Sequence, residues 1–145
     1  TRQTAAILFA EVADAIAYLD ELREIKLDPW EGRLYAEIEA LHPELLHRFR
    51  NLPEQFELEG AETFAELQAR GLTALTAIVA ACPGQDVAIV SHGALIRAVL
   101  CHYESRPLSA LWEPPRMHNC AHSIVEFDHA GTPTVAQYAG LRDWR

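Results

Sequence analysis

Leu8, Val12, Ala15, Ile16 and Leu19 recur three and four residues apart, one face of a helix predicted to run from the first residues to about Asp20. A mixed loop, 21–32, follows. Two short helices are predicted next: Arg33 to Leu41, with Leu34, Ile38 and Leu41 on one face, then Pro43 to Arg50. Proline suits the first position of the second, where its missing N–H costs nothing. After a polar loop to Ala61, Thr63 stands three residues before Glu66, the spacing of a capping box. It opens a long helix whose stripe is Leu67, Leu75, Ile78 and Val79 and which stops at Cys82-Pro83-Gly84. Gly71 inside it costs roughly 1 kcal/mol against alanine.

The next run changes period. Val87, Ala88, Ile89 and Val90 are apolar without alternation, the pattern of a strand buried on both faces. Ser91-His92-Gly93 connects it directly to a helix, Ala94 to Tyr103, with Leu95, Ile96, Val99 and Leu100 turned inward. A short helix is expected from Ser105-Arg106-Pro107. Two β-rich runs, Ser123 to Phe127 and Thr134 to Tyr138, are joined by Asp128-His129-Ala130-Gly131, a hairpin spacing. Helices alternating with strands predict an α/β fold. A doubly buried strand needs neighbours at both edges, and the terminal hairpin supplies none that is parallel. Thr1 is not an initiator residue, the only methionine is Met117, and a helical pattern is present from the start. The chain is therefore expected to be the C-terminal portion of a longer domain.

With 145 residues, half of them hydrophobic, residues 1–145 amount to one domain. No run approaches the ~20 consecutive apolar residues of a membrane span. A net charge of −9 without a basic stripe argues against nucleic acid and anionic membrane surfaces as partners. Any site for an anion has to be built locally against that field. Cys82, Cys101 and Cys120 are odd in number and widely spaced, which predicts buried thiols and a reducing, cytoplasmic setting.

The turn at 91–93 is the leading site candidate. The carboxyl end of a buried strand is where open α/β sheets bind ligands. The following helix presents free N–H groups and a positive dipole end, which favour an anion. Its candidate phosphate contacts are Ser91, Gly93 and Ala94. Glycine at 93 permits close backbone approach, and His92 offers a donor or a positive charge. The bland alternative is a histidine that merely caps a strand end. His118, Cys120 and His122 alternate along one run, but no fourth zinc ligand accompanies them, so no metal is assigned. Ser91 lacks the G-x-S-x-G of a nucleophile elbow. His42, His47, His102 and His129 fall on surface or helix-flank positions.

Val87 to Leu100 closely resembles the second histidine motif of the histidine phosphatases, the phosphoglycerate-mutase-like superfamily. Thr1-Arg2-Gln3-Thr4-Ala5 is similar to the end of that family's R-A-x-Q-T-A segment. Leu22-Arg23-Glu24-Ile25 followed by Pro29-Trp30-Glu31-Gly32 resembles its acid loop. Gly60-Ala61-Glu62-Thr63 with Arg70 matches its G-E-S…R stretch, and Asn119-Cys120 with 123–127 its closing strand. The resemblance implies a three-layer α/β/α fold with a mostly parallel central sheet whose N-terminal strands lie outside this chain. It implies that Glu24 is the proton donor and His92 the second pocket histidine. The nucleophile belongs to an R-H-G triplet that this chain lacks, and the pocket arginine would fall just before Thr1, leaving Arg2 at a variable position. The chain alone is therefore expected to be inactive.

The implied activity is hydrolysis of a small-molecule phosphate ester through a phosphohistidine, without cofactor. The run from Trp30 to Phe49 looks more like the broad-specificity and α-ribazole-phosphate phosphatase branches than the mutases. A phosphoglycerate mutase and a non-catalytic phosphate-binding protein are the alternatives, and a homo-oligomer is left open. Asp28 replaces the glycine before W-E-G, Ala94 replaces the second glycine after the histidine, and Ala61 and Thr63 flank Glu62 in place of Gly and Ser. None of these changes removes a reacting group.

Overall fold

In the computed structural model, which describes residues 1–144, the Thr63 hydroxyl starts the longest helix. It accepts from the Glu66 N–H at 3.2 Å, while the Glu66 carboxylate accepts from the Thr63 N–H at 2.9 Å. Both halves of the capping box are thus made, and the helix runs from Phe64 to Ala81. Numbering helices in chain order, α1 is Arg2–Leu8, α2 Tyr35–Leu41, α3 Pro43–Asn51, α4 Phe64–Ala81 and α5 Gly93–Tyr103. Short 3₁₀ turns join several of them. Strands β1 (Ile124–Phe127) and β2 (Pro133–Gln137) form an antiparallel hairpin with Val125 opposite Val135. Its turn is closed by the Asp128 carboxylate, which accepts from the N–H groups of Ala130 and Thr132. Those bonds hold the Asp128 carboxyl below its usual range.

Helices α4 and α5 pack closely because Gly71 leaves room: a Cβ there would lie 2.7 Å from Leu95 Cδ1 and 3.0 Å from Val99 Cγ2. Gln68 Nε2 donates across the seam to the Ala98 carbonyl at 2.6 Å. Around this pair the core is aromatic. Phe49 stacks at 5.2–5.9 Å on Trp30, Phe56, Phe64 and Trp112, and the Trp112 indole donates to the Phe49 carbonyl. Trp30, 5% exposed, anchors the loop behind Glu24 to this cluster. Cys101 fills the same core, and burial pushes its thiol up, so it stays an apolar filler.

Three expectations need correcting. The stretch 87–90 is not a strand: among the described residues none pairs with it, and Val87 is 45% and Ile89 38% exposed. An extended apolar run becomes a strand only when a neighbour accepts its backbone groups. The two-stranded antiparallel hairpin is accordingly the sole sheet among the described residues; helices and strands together keep the chain in the α/β class, and the central parallel sheet is expected only with strands outside residues 1–145. The first helix ends at Leu8 instead of Asp20, and a 3₁₀ segment, Ala10–Ala15, continues with non-helical backbone at Val12. Leu8, Val12 and Leu19 lie exposed, so tertiary burial does not carry the helix on. Finally, Cys101 is buried but Cys82 is half-buried and Cys120 exposed.

Candidate active site

Helix α5 begins at Gly93, directly after His92, whose extended backbone (φ −120°, ψ 161°) makes it the N-cap. The His92 side chain does not cap the helix. Its Nε2 lies 3.4 Å from the Thr1 hydroxyl, and the ring is half-buried. The first turn of α5 carries no acidic residue, so its N–H groups are satisfied from elsewhere in the chain. Glu24 supplies what is needed. Its Oε2 accepts from the Ala94 N–H and its Oε1 from the Leu95 N–H, both at 3.2 Å, across a separation of about 70 residues. Oε1 also accepts from the Ile25 N–H at 3.1 Å. Glu24 is thereby bonded to the first turn of the helix that His92 immediately precedes.

The other two candidates behave differently. The Ser91 hydroxyl donates to the Leu22 carbonyl at 2.7 Å, so its proton fastens the Glu24 loop and points to no open site. Gly93 is exposed, and a Cβ built there meets nothing within 4 Å. Internal packing therefore does not require the missing side chain at Gly93. The N–H of Ala94 carries the Glu24 carboxylate in this state.

Two arginines that the sequence left without a role organise the surroundings. Arg70, on α4, holds Glu62 through two parallel bonds, Nε to Oε1 and Nη2 to Oε2, each 2.8 Å. Glu62 raises the guanidinium further above its already high ordinary value. The remaining Arg70 donors reach the carbonyls of Glu21 at 2.6 Å and Arg23 at 3.1 Å. Arg97, 7% exposed, donates to the carbonyls of Leu111, Glu113 and Pro115 and lies over the Trp112 ring at 5.9 Å. A charged residue at 97 falls on the buried face with Ala94, Ala98 and Cys101, a signal present in the sequence. The hold of Arg70 on the Glu24 loop had no such local sign, because the carbonyls it reaches there lie 46–49 residues away.

The Glu24 loop, the first turn of α5 and Arg97 border a cleft of about 370 Å³ whose lining does not include His92 or Arg70. Glu24, Gly93, Ala94 and Arg97 line it together with Ile25, Leu27, Tyr35, Phe49, Trp112 and Met117. A second cavity, about 360 Å³ between Tyr103, Arg106 and Trp144, contains none of the candidate residues. Among the described residues no three His, Cys, Asp or Glu side chains are grouped as a metal would need. Within the 118–122 run, His122 Nε2 instead lies 2.6 Å from the Gln137 amide nitrogen.

A family description of the histidine phosphatase superfamily, branch 1, matches residues 1–139. The chain belongs to that superfamily. Phosphoserine phosphatase 1 of Hydrogenobacter thermophilus is 28% identical over 122 residues, covering 81% of this chain. The chain spans 57% of that protein's length. The structure of Bacillus stearothermophilus YhfR superposes with a TM-score of 0.92 at 32% identity, covering 96% of this chain and 68% of YhfR. A mycobacterial glucosyl-3-phosphoglycerate phosphatase in complex with VO3 superposes with a TM-score of 0.78 at 22% identity, covering 97% and 72%. At that identity the second likeness shows the fold alone. Within the histidine phosphatase pattern Thr63 occupies the serine position, and its hydroxyl does what an N-cap requires of either residue. Asp28, at the usual glycine, pairs with Lys26 at 2.9 Å on the exposed loop.

Proposed function

We propose that the protein to which this chain belongs is a phosphomonoester phosphatase working through a phosphohistidine, with Glu24 as proton donor and His92 in the phosphate pocket. The observation that carries the reading is the position of Glu24, whose carboxylate meets the N–H groups at the start of α5 one turn from His92. With Glu24 protonated, as a proton donor must be, that helix end supplies the local positive potential that an anionic substrate needs in a chain of net charge −9. An acid standing beside a phosphate site is placed to protonate the departing oxygen.

In the first step a histidine nitrogen attacks phosphorus and the ester P–O bond breaks, while a proton passes from Glu24 to the leaving alkoxide. In the second, water attacks phosphorus, Glu24 takes up its proton, and histidine and phosphate are released. Oε1 already accepts two N–H bonds, whereas Oε2 accepts one. Oε2 therefore has the free lone pair to carry the transferred proton. The nucleophile is proposed to come from residues outside 1–145, with His92 donating to an equatorial phosphoryl oxygen. The substrate is a small-molecule phosphate ester. Phosphoserine, named for the Hydrogenobacter relative, belongs in the first panel tested.

The test is Glu24→Gln in the full-length enzyme. Its kcat should fall by about 10²–10⁴-fold for alkyl phosphates and far less for p-nitrophenyl phosphate, whose leaving group needs no acid. Equal losses on both would refute the assignment. Phosphate release without isomerisation of phosphoglycerate separates this reading from a mutase.

A further inference from the structure

The backbone from Glu21 to Lys26 has only one 3₁₀ turn, at Asp20–Leu22, and no ladder. Its shape is nevertheless over-determined. The carbonyls of Glu21 and Arg23 accept from Arg70 Nη1, the intervening carbonyl of Leu22 accepts from Ser91, and that of Glu24 lies 3.5 Å from Arg70 Nη2. Lys26 is held twice by Glu62, its N–H donating to Oε2 at 3.2 Å and its carbonyl accepting from the Glu62 N–H at 2.7 Å. Four successive carbonyls and the residue two beyond are thus fastened by three side chains. The segment so fastened carries the one carboxylate that, among the described residues, reaches the start of α5.

We infer that the Glu62–Arg70 pair is the positioning device for Glu24, setting the carboxylate's place over the first turn of α5 without touching the reacting atoms. The inference rests on the proton-donor reading of Glu24. Charge makes the pair suited to the task. The planar guanidinium uses two edges at once, one locked bidentate on Glu62 and the other turned to the loop carbonyls. Both side chains are largely shielded, 25% and 13% exposed, so water competes weakly for those bonds. Glu62 in turn is tied to the capped start of α4 by its neighbour Thr63, so the clamp refers the loop to the two packed helices that frame the site. A side chain that delivers a proton is sensitive to such placement: a misplacement near 1 Å costs about 10²-fold in rate.

The experiment measures kcat and KM of the full-length enzyme on an alkyl phosphate and on p-nitrophenyl phosphate for wild type, Glu24→Gln, Arg70→Met, Glu62→Gln and the double variant Glu24→Gln/Arg70→Met. Arg70→Met should lower kcat by about 10²-fold on the alkyl ester, leave KM within a few-fold, and spare the aryl ester. In the Glu24→Gln background the same change should cost less than about twofold, since the acid it positions is already gone. Glu62→Gln keeps the shape and one acceptor oxygen. It should show the same selectivity at smaller size, and it decides the question if Arg70→Met fails to fold. Selective loss in Glu24→Gln, with equal loss on both esters in the clamp variants or full additivity in the double variant, overturns the clamp alone. Unselective loss in Glu24→Gln itself overturns the proton-donor reading instead.

Discussion

Replacing Gly71 by alanine sets two physical effects of opposite sign against each other inside α4. Helix propensity favours alanine over glycine by about 1 kcal/mol in a helix interior. Against that, the added methyl would stand 2.7 Å from Leu95 Cδ1 and 3.0 Å from Val99 Cγ2, both closer than carbon atoms pack. Neither neighbour has room to turn away, because Leu95 is 2% and Val99 5% exposed and both sit on the buried face of α5. Overpacking of this kind costs about 1–3 kcal/mol. With two contacts to relieve, its upper range applies, and the net expectation is a loss of about 1–2 kcal/mol. Urea unfolding of full-length Gly71→Ala should show a lower midpoint at unchanged slope, and thermal scans a Tm lower by about 2–8 °C. Because α5 also presents the Ala94 and Leu95 N–H groups to Glu24, pushing it from α4 should reduce turnover of alkyl phosphates as well. A midpoint above wild type would refute the reasoning, since helix propensity would then outweigh the contact at the α4–α5 seam.

Thr63→Ala should lose about 1 kcal/mol by removing the side-chain acceptor at the start of α4. The Glu66 carboxyl is held below its usual range, first by the Thr63 N–H and then by the Thr63 hydroxyl. A depressed carboxyl stabilises the fold above its unfolded value, and that contribution is lost as pH falls through its folded value. The gap in urea midpoint between wild type and Thr63→Ala should therefore narrow below about pH 4. An unchanged gap would deny the bond from the Thr63 hydroxyl to the Glu66 carboxylate, the carboxylate bond that the substitution removes. EDTA should leave the full-length activity intact; activity lost on chelation and restored by zinc would sink the metal-free mechanism.

What could be read in advance was what is local in sequence. The capping box at Thr63 and Glu66, the helix after His92 and the Asp128 turn each involve groups a few residues apart, so their spacing alone predicts them. The stretch 87–90 depends on the opposite, pairing partners that the described residues do not include. Its apolar composition suits a strand, but strand formation is a property of the neighbour as much as of the run. The same holds for α1, whose stripe promised a longer helix than its exposed side chains sustain. In the site, Glu24 and His92 were found through family motifs, whereas their physical link, a carboxylate on N–H groups of a helix 70 residues on, is visible only in three dimensions. Arg70 stood in a matched motif with no role, because its work is done on backbone carbonyls, which leave no trace in residue identity.

Rapid acid-free quenching of the full-length enzyme during turnover of a radiolabelled alkyl phosphate tests the central claim most directly. A phosphoenzyme stable in alkali and labile in acid is expected, with the label on a histidine outside residues 1–145. In Glu24→Gln it should form from p-nitrophenyl phosphate but hardly at all from the alkyl ester. Label on His92, acid-stable label on a serine, or turnover with no phosphoenzyme at all would contradict the account.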